Sequence, residues 1–202
     1  MVADSISGFS GKQGANGWSY GYWDRSADTD KSYSQTTDFQ LLRHFGSDSI
    51  WSSRTDFTTG KLWTLQDGVY RTALWAEGGS PNGTAKGPPQ AKVEHWTVRR
   101  WVSTANGPVT ISGHAAKLLP WGPGGQAHIV VDGATVFSAD LDQLIERGRD
   151  AIDMRGTNYS VNATVHIGSL VDFLLIPGSS ATGGGYGPIK FTATIRAAPA
   201  LP

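Results

Sequence analysis

Apolar and polar positions alternate with a period of two through much of the chain. Over residues 159–167, Tyr159, Val161, Ala163, Val165 and Ile167 are apolar while Ser160, Asn162, Thr164 and His166 are polar. That is the pattern of a strand with one buried and one wet face. Residues 189–196 repeat it, with Ile189, Phe191, Ala193 and Ile195 predicted inward. Val109 and Ile111 alternate with Thr110 and Ser112, and Ala127, Ile129 and Val131 lead into Asp132-Gly133 and a second run at 135–137. An Asp-Gly pair between two such runs predicts a tight hairpin, because both central residues of the favoured turn need positive φ. Residues 170–176 are continuously apolar except for Asp172, which predicts a strand buried on both faces with one charge out of place. Residues 18–23, 68–76 and 93–103 also read as strands. Helical spacing occurs at 139–148, where Asp140 is placed to cap, Leu141, Leu144 and Ile145 share a face, and Gly148 supplies a stop. It predicts at most one or two short helical turns.

Strands therefore recur along the whole chain, separated by loops rich in Gly, Pro, Asn and Ser at 77–91, 119–126 and 177–188. The helices that a doubly wound α/β fold requires between strands are missing, and no repeat of 20 to 50 residues is present. The expectation is an all-β protein: an antiparallel β-sandwich, a jelly roll of about eight to ten strands. Neither composition nor pattern shifts along the chain, so residues 1–202 are expected to form one domain.

Composition narrows the partners. Seventeen Lys and Arg balance seventeen Asp and Glu, with no basic run, which removes the electrostatic footprint that a nucleic-acid backbone or an anionic membrane surface requires. The chain has no Cys, which excludes disulfides, thiolate chemistry and Cys-ligated metals. No apolar run approaches the ~18 residues of a membrane-spanning helix. The first residues lack the basic and apolar parts of a signal peptide, so a secreted protein is expected to carry this sequence as a mature or excised form. Charged residues make up 17% of the chain and Gly numbers 26, against averages of ~25% charged and ~7% Gly. A surface so poor in charge, covered by Ser, Thr, Asn, Gly and aromatics, suits neutral polar ligands.

Catalytic signatures are missing. Gly8-Phe9-Ser10-Gly11 lacks the G-x-S-x-G spacing of a nucleophile elbow. Gly122-Pro123-Gly124-Gly125 comes just after Pro120-Trp121 and opens a strand, which leaves no helix N-terminus for a phosphate. The histidines show no H-x-x-x-H spacing, and most Asp residues fall in turns, where Asx hydrogen bonding accounts for them. Asp24, Asp28 and Asp30 gather three hard oxygen ligands in one loop. The EF-hand pattern is not met, and two readings stand: a structural Ca²⁺ site or a solvated acidic loop.

The eight Trp carry most of the information. A sugar ring offers an apolar C–H face that stacks on Trp or Tyr, and hydroxyls that call for Asn, Gln, Asp, Arg and His at the rim. Trp18, Tyr20 and Tyr22 share one strand face, either as core or as ligand contacts. Trp121 sits in a Pro- and Gly-rich loop with no alternation to bury it, as a stacking platform or as loop packing. Trp51 and Trp63 flank another irregular stretch with the same two readings. In the segment from Glu94 to Val102, the pleat separates Trp96, Val98 and Arg100 from His95, Thr97, Arg99 and Trp101. With the first set inward, His95, Arg99 and Trp101 line the outer face, where Arg beside Trp forms a cation–π contact or a polar grip beside a stacking ring.

A wider pattern joins these segments. Phe9-Ser10-Gly11-Lys12-Gln13-Gly14-Ala15-Asn16-Gly17-Trp18-Ser19-Tyr20, Trp96-Thr97-Val98-Arg99-Arg100-Trp101, Ile129-Val130-Val131-Asp132-Gly133 and Phe191-Thr192-Ala193-Thr194-Ile195 together resemble jelly-roll, carbohydrate-binding-module-like domains of bacterial secreted and surface proteins. The resemblance covers about residues 9–195. It implies an extracellular protein in which Gln13, Asn16, Trp18, Tyr20, Arg99 and Trp101 matter most. It also departs from that pattern: Gly183-Gly184-Gly185-Tyr186-Gly187 replaces an acidic loop, and Ser80-Pro81-Asn82 stands in place of a His-Pro. The resulting expectation is a non-catalytic module that binds a neutral polysaccharide or oligosaccharide and targets an attached enzyme within a larger protein. It requires no cofactor beyond a possible structural Ca²⁺. The expected contacts are Trp121, Trp51, Trp18, Tyr20, Gln13, Asn16, Arg99, Trp101 and His95. A β-sandwich polysaccharide lyase or glycosidase is the alternative, and an adhesive protein-binding domain the second.

Overall fold

A computed structural model describes residues 1–47, 60–65, 71–84, 93–118, 124–141, 156–178 and 187–198. Its strands are β1 (Ala3–Asp4), β2 (Trp18–Asp24), β3 (Gln40–Leu41), β4 (His44–Gly46), β5 (Leu62–Thr64), β6 (Ala73–Trp75) and β7 (Gly78–Ser80). These are followed by β8 (His95–Val102), β9 (Gly107–Lys117), β10 (Gly125–Val131), β11 (Ala134–Asp140), β12 (Thr157–Val165), β13 (Leu170–Pro177) and β14 (Ile189–Ala197). One 3₁₀ turn, Ala15–Gly17, precedes β2.

The alternation read from the sequence decides which faces meet. In β14, Ile189, Phe191, Ala193 and Ile195 are all buried while the residues between them are not. β9 supplies Val109 and Ile111, and β12 supplies Tyr159 and Val165, to the same inter-sheet core. All strand pairs are antiparallel, and they form two sheets ordered β12-β9-β14-β7-β6-β5-β4 and β11-β10-β13-β8-β2-β3, with β1 pairing the end of β14 that lies beyond β7. Strands β7 to β14 behave as one long hairpin rolled on itself. β10 pairs with β11 at its tip, then β9 with β12, β8 with β13 and β7 with β14. Pairing of β9 with β14 and of β10 with β13 closes the roll. That is jelly-roll connectivity, as expected. The Asp-Gly hairpin forms where predicted, with φ 45° at Asp132 and 86° at Gly133.

β13 is buried from Val171 to Ile176 because its outer face is covered too. Tyr33, Phe39 and Trp96 pack over Val98, Val130 and Leu174, so residues 25–39 lie as a strap across the outside of the six-stranded sheet. Asp172 belongs to this outer layer, paired with Arg100 at 2.7 Å beneath the strap.

Several expectations are corrected. The pleat of β8 has the opposite phase: Trp101 faces the inter-sheet core while Val98 and Trp96 lie under the strap. Both faces of this strand are covered, so hydrophobicity alone does not set its phase. Asp140 ends β11, and the helical turn expected after it falls on 142–148, which lie outside the described residues. Part of the predicted 77–91 loop is strand β7, whose Gly78 and Gly79 pair with Lys190 and Ile189. A Cβ on Gly78 would come within 2.0 Å of the Ile189 carbonyl oxygen, a contact no side chain allows.

Candidate functional site

Two edge strands create an opening. β3 ends the six-stranded sheet and β4 ends the eight-stranded sheet, so residues 42 and 43 carry the chain from one sheet edge to the other. Leu42 is buried at this crossing, and its N–H donates to the Tyr20 carbonyl at 2.9 Å. Gln13 fixes the crossing with its whole carboxamide. Its Oε1 accepts from the Tyr20 N–H at 2.8 Å, and its Nε2 donates to the carbonyls of Tyr20 and Leu42, both at 2.9 Å.

Beside this crossing lies an open groove of about 590 Å³, lined by Gln13, Tyr22, Gln40, Arg43 and Trp63 together with Leu41 and Leu42. The Tyr22 hydroxyl donates to Gln40 Oε1 at 3.0 Å, which holds ring and amide side by side. Trp63 stacks on Tyr20 with centroids 5.7 Å apart and donates from Nε1 to the Ser10 carbonyl at 2.9 Å. It is buried, so it walls the groove while offering little surface to it. Leu41 is 47% exposed and Arg43 is exposed. Apolar ring, amide and guanidinium therefore converge on one recess, and no carboxylate is among its lining residues.

Most of the contacts expected from sequence lie elsewhere. Trp18, Tyr20 and Trp101 are each 1% exposed; they fill the core and offer no face to a ligand. Burial also pushes the Tyr20 hydroxyl above its ordinary pKa. Arg99 is buried and donates to the carbonyls of Trp75, Ala76, Ser5 and Gly78. Burial brings its guanidinium down to about 10, a loss countered in part by Tyr20, Tyr159, Glu77 and Asp4. His95 is buried, with Nδ1 2.9 Å from Thr72 Oγ1, Nε2 3.6 Å from Asp24 Oδ2 and its ring against Tyr22. The outer-face placement of Arg99, Trp101 and His95 is thus overturned by the phase of β8. Gln13 does line the groove, although its amide is spent on backbone. Asn16 is exposed on the 3₁₀ turn with φ 56°. Trp51 and Trp121 lie outside the described residues.

The three acidic loop residues are not gathered either. Asp24 accepts from the Ala27 N–H, Asp28 from Trp23 Nε1 and Asp30 from the Ser32 N–H. Lys31 Nζ occupies the carbonyls of Arg25 and Ser26 at 2.8 and 2.9 Å. Among the described residues no three acids or histidines cluster as metal ligands. The loop is thus built from Asx turns, which hold local donors rather than a common ion.

Sequence reasoning left the Tyr22 row open between core and ligand contact, and missed Gln40, Leu41 and Arg43. Gln40 and Leu41 form a strand of only two residues, and Arg43 sits between it and a strand of three, stretches too short to show a period. Fold and groove together define a jelly-roll β-sandwich with a recess at one sheet edge. No protein-family model and no curated protein matches the chain. Among solved structures, it is similar to a β-glucosidase from Kluyveromyces marxianus in selenomethionine form, at 10% identity and a TM-score of 0.34, covering 95% of this chain and 18% of that one. The same enzyme in complex with glucose is similar at 12% identity and a TM-score of 0.38, with 98% and 19% covered. This chain spans about a fifth of those chains, and likeness at that level carries no weight for its chemistry.

Proposed function

We propose that this jelly roll is a non-catalytic carbohydrate-binding module whose ligand lies in the groove at the β3–β4 crossing. The observation that carries the reading is the composition of that recess: the Tyr22 ring, the exposed Leu41, the Gln40 amide and the Arg43 guanidinium all line it. Sugar rings need this pairing of an apolar surface with fixed polar groups. Glycoside hydrolysis needs two carboxylates flanking one bond, and the lining residues include none. In a larger protein, such a module raises the local concentration of an attached enzyme on its polymer.

Isothermal titration with a panel of plant, algal and microbial oligosaccharides tests the proposal. One class of glycan should bind, and Tyr22→Ala should weaken it about tenfold, the upper value of an aromatic contact. A folded sample that is silent across the panel overturns it.

A further inference from the structure

Chain-wide neutrality hides a local imbalance. The seven residues that line the groove carry one charge, the guanidinium of Arg43, and no Asp or Glu. Elsewhere, buried or half-buried guanidinium groups are engaged: Arg25 with Glu94, Arg100 with Asp172, and Arg99 with four carbonyls. Among the described residues, no ion pair or side-chain hydrogen bond engages Arg43.

Position adds to charge. Arg43 follows Leu42, whose backbone is tied to Tyr20 and Gln13 by the bonds that fix the crossing, so its Cα is held even though its side chain is exposed. Its planar fork presents paired N–H donors, a geometry that fits a carboxylate or sulfate with two parallel bonds. The Tyr22 ring and Leu41 supply the apolar surface a sugar ring needs beside that charge.

Resting on the glycan-binding reading, we infer that the groove selects an acidic sugar: a ring bearing a carboxylate or a sulfate ester, its anion held by Arg43 and its face set against Tyr22 and Leu41. The uncharged glycan expected from overall composition gives way to a charged one, because a ligand meets the local field rather than the average.

The test is titration calorimetry with three sets of probes: uronate oligosaccharides, the same oligosaccharides as neutral methyl esters, and sulfated galactan oligosaccharides. An acidic probe should bind, and in the uronate case its ester should bind at least tenfold more weakly. Arg43→Gln should lower affinity for the acidic probe by about ten- to a hundredfold, the range of a charge-assisted hydrogen bond, and Arg43→Lys should restore part of it. Raising salt should weaken binding of the native chain more than that of Arg43→Gln. Which acidic set binds names the anion. Esters or unsubstituted glycans binding as well as the acids, with Arg43→Gln unchanged, overturn the inference and leave glycan binding standing. Silence to every probe from a chain with native near-ultraviolet circular dichroism overturns both. Arg43 is exposed, so Arg43→Gln is expected to fold.

Discussion

Asp172 is fully buried, and both of its carboxylate oxygens are hydrogen-bonded. Oδ1 accepts from Arg100 Nε at 2.7 Å, and Oδ2 accepts from Arg100 Nη2 and from the Tyr33 hydroxyl, both at 2.7 Å. Arg100 Nη2 also donates to the Gln35 carbonyl at 2.6 Å, and its guanidinium lies 4.0 Å from the Phe39 ring centroid. Burial, and then the Asp172 charge, push the Tyr33 hydroxyl up, so it remains a donor. Burial alone would lower Arg100, but its bonds to Asp172 outweigh that and raise it. A buried pair of this kind contributes little over an apolar replacement, whereas removing one partner strands the other and costs about 3–5 kcal/mol. Asp172→Asn is therefore expected to lose about that much in urea denaturation, and Tyr33→Phe only about 1 kcal/mol. Asp4 gives a prediction with pH. Partial burial would raise its pKa, but hydrogen bonds from the Ser7 N–H, Thr194, the Ser7 hydroxyl and the Ile6 N–H hold it below the ordinary 3.8. Its folded value lies under its unfolded one, so its stabilisation is complete above the unfolded pKa and is lost as pH falls through the folded value. Asp4→Asn should flatten part of the fall in melting temperature between about pH 5 and pH 2, while an unchanged acid slope would count against the assignment.

Turns and coverings fix the elements. Asp132 and Gly133 both adopt positive φ at the β10–β11 turn, and Asp132 accepts from the Ser169 hydroxyl and the Leu170 N–H at 2.6 and 2.8 Å. Gly133→Val puts a β-branched residue in the left-handed region, which costs about 1–2 kcal/mol. The urea midpoint should fall with no change in slope. This hairpin was legible in the sequence because a two-residue turn allows few residue types. The inward rows of β12 and β14, and the fully buried β13, were legible because period two leaves a direct trace. The strap left no such trace. Tyr33, Gln35 and Phe39 sit in a polar stretch without periodicity, and the partners of Tyr33 and Gln35, namely Asp172, Val130 and Leu170, lie 95 to 139 residues on. Covering by the strap also hid the phase of β8, since a strand buried on both faces gives no polar row to point outward. That ambiguity moved His95, Arg99 and Trp101 to the wrong side. The groove was illegible for another reason: it depends on where two short edge strands meet, which only the rolled chain defines.

The whole molecule is held shut from its N-terminus. The N–H of Val2 donates to the Ile195 carbonyl, and Ser5 exchanges bonds with Ala193 through its N–H and its hydroxyl, each at 2.8 Å. Arg99 joins this closure to both sheets: it projects from β8 and donates to Trp75, Ala76 and Gly78 of the other sheet and to Ser5. No carboxylate is among these acceptors, so the residue acts through carbonyl groups that are otherwise buried. Removing it leaves several without a donor, at about 1–3 kcal/mol for each one fully desolvated. Arg99→Met keeps much of the aliphatic stem and none of the donors, so it separates hydrogen bonding from packing. Its cost should be at least about 3 kcal/mol in urea denaturation. If Arg99 ties the N-terminal segment to the sandwich, hydrogen exchange at Ser5 and Ala193 should accelerate more than at Ile129 and Val171, which lie in the core away from β1. Uniform acceleration at all four would mean that Arg99 stabilises the fold as a whole and has no special hold on its first strand.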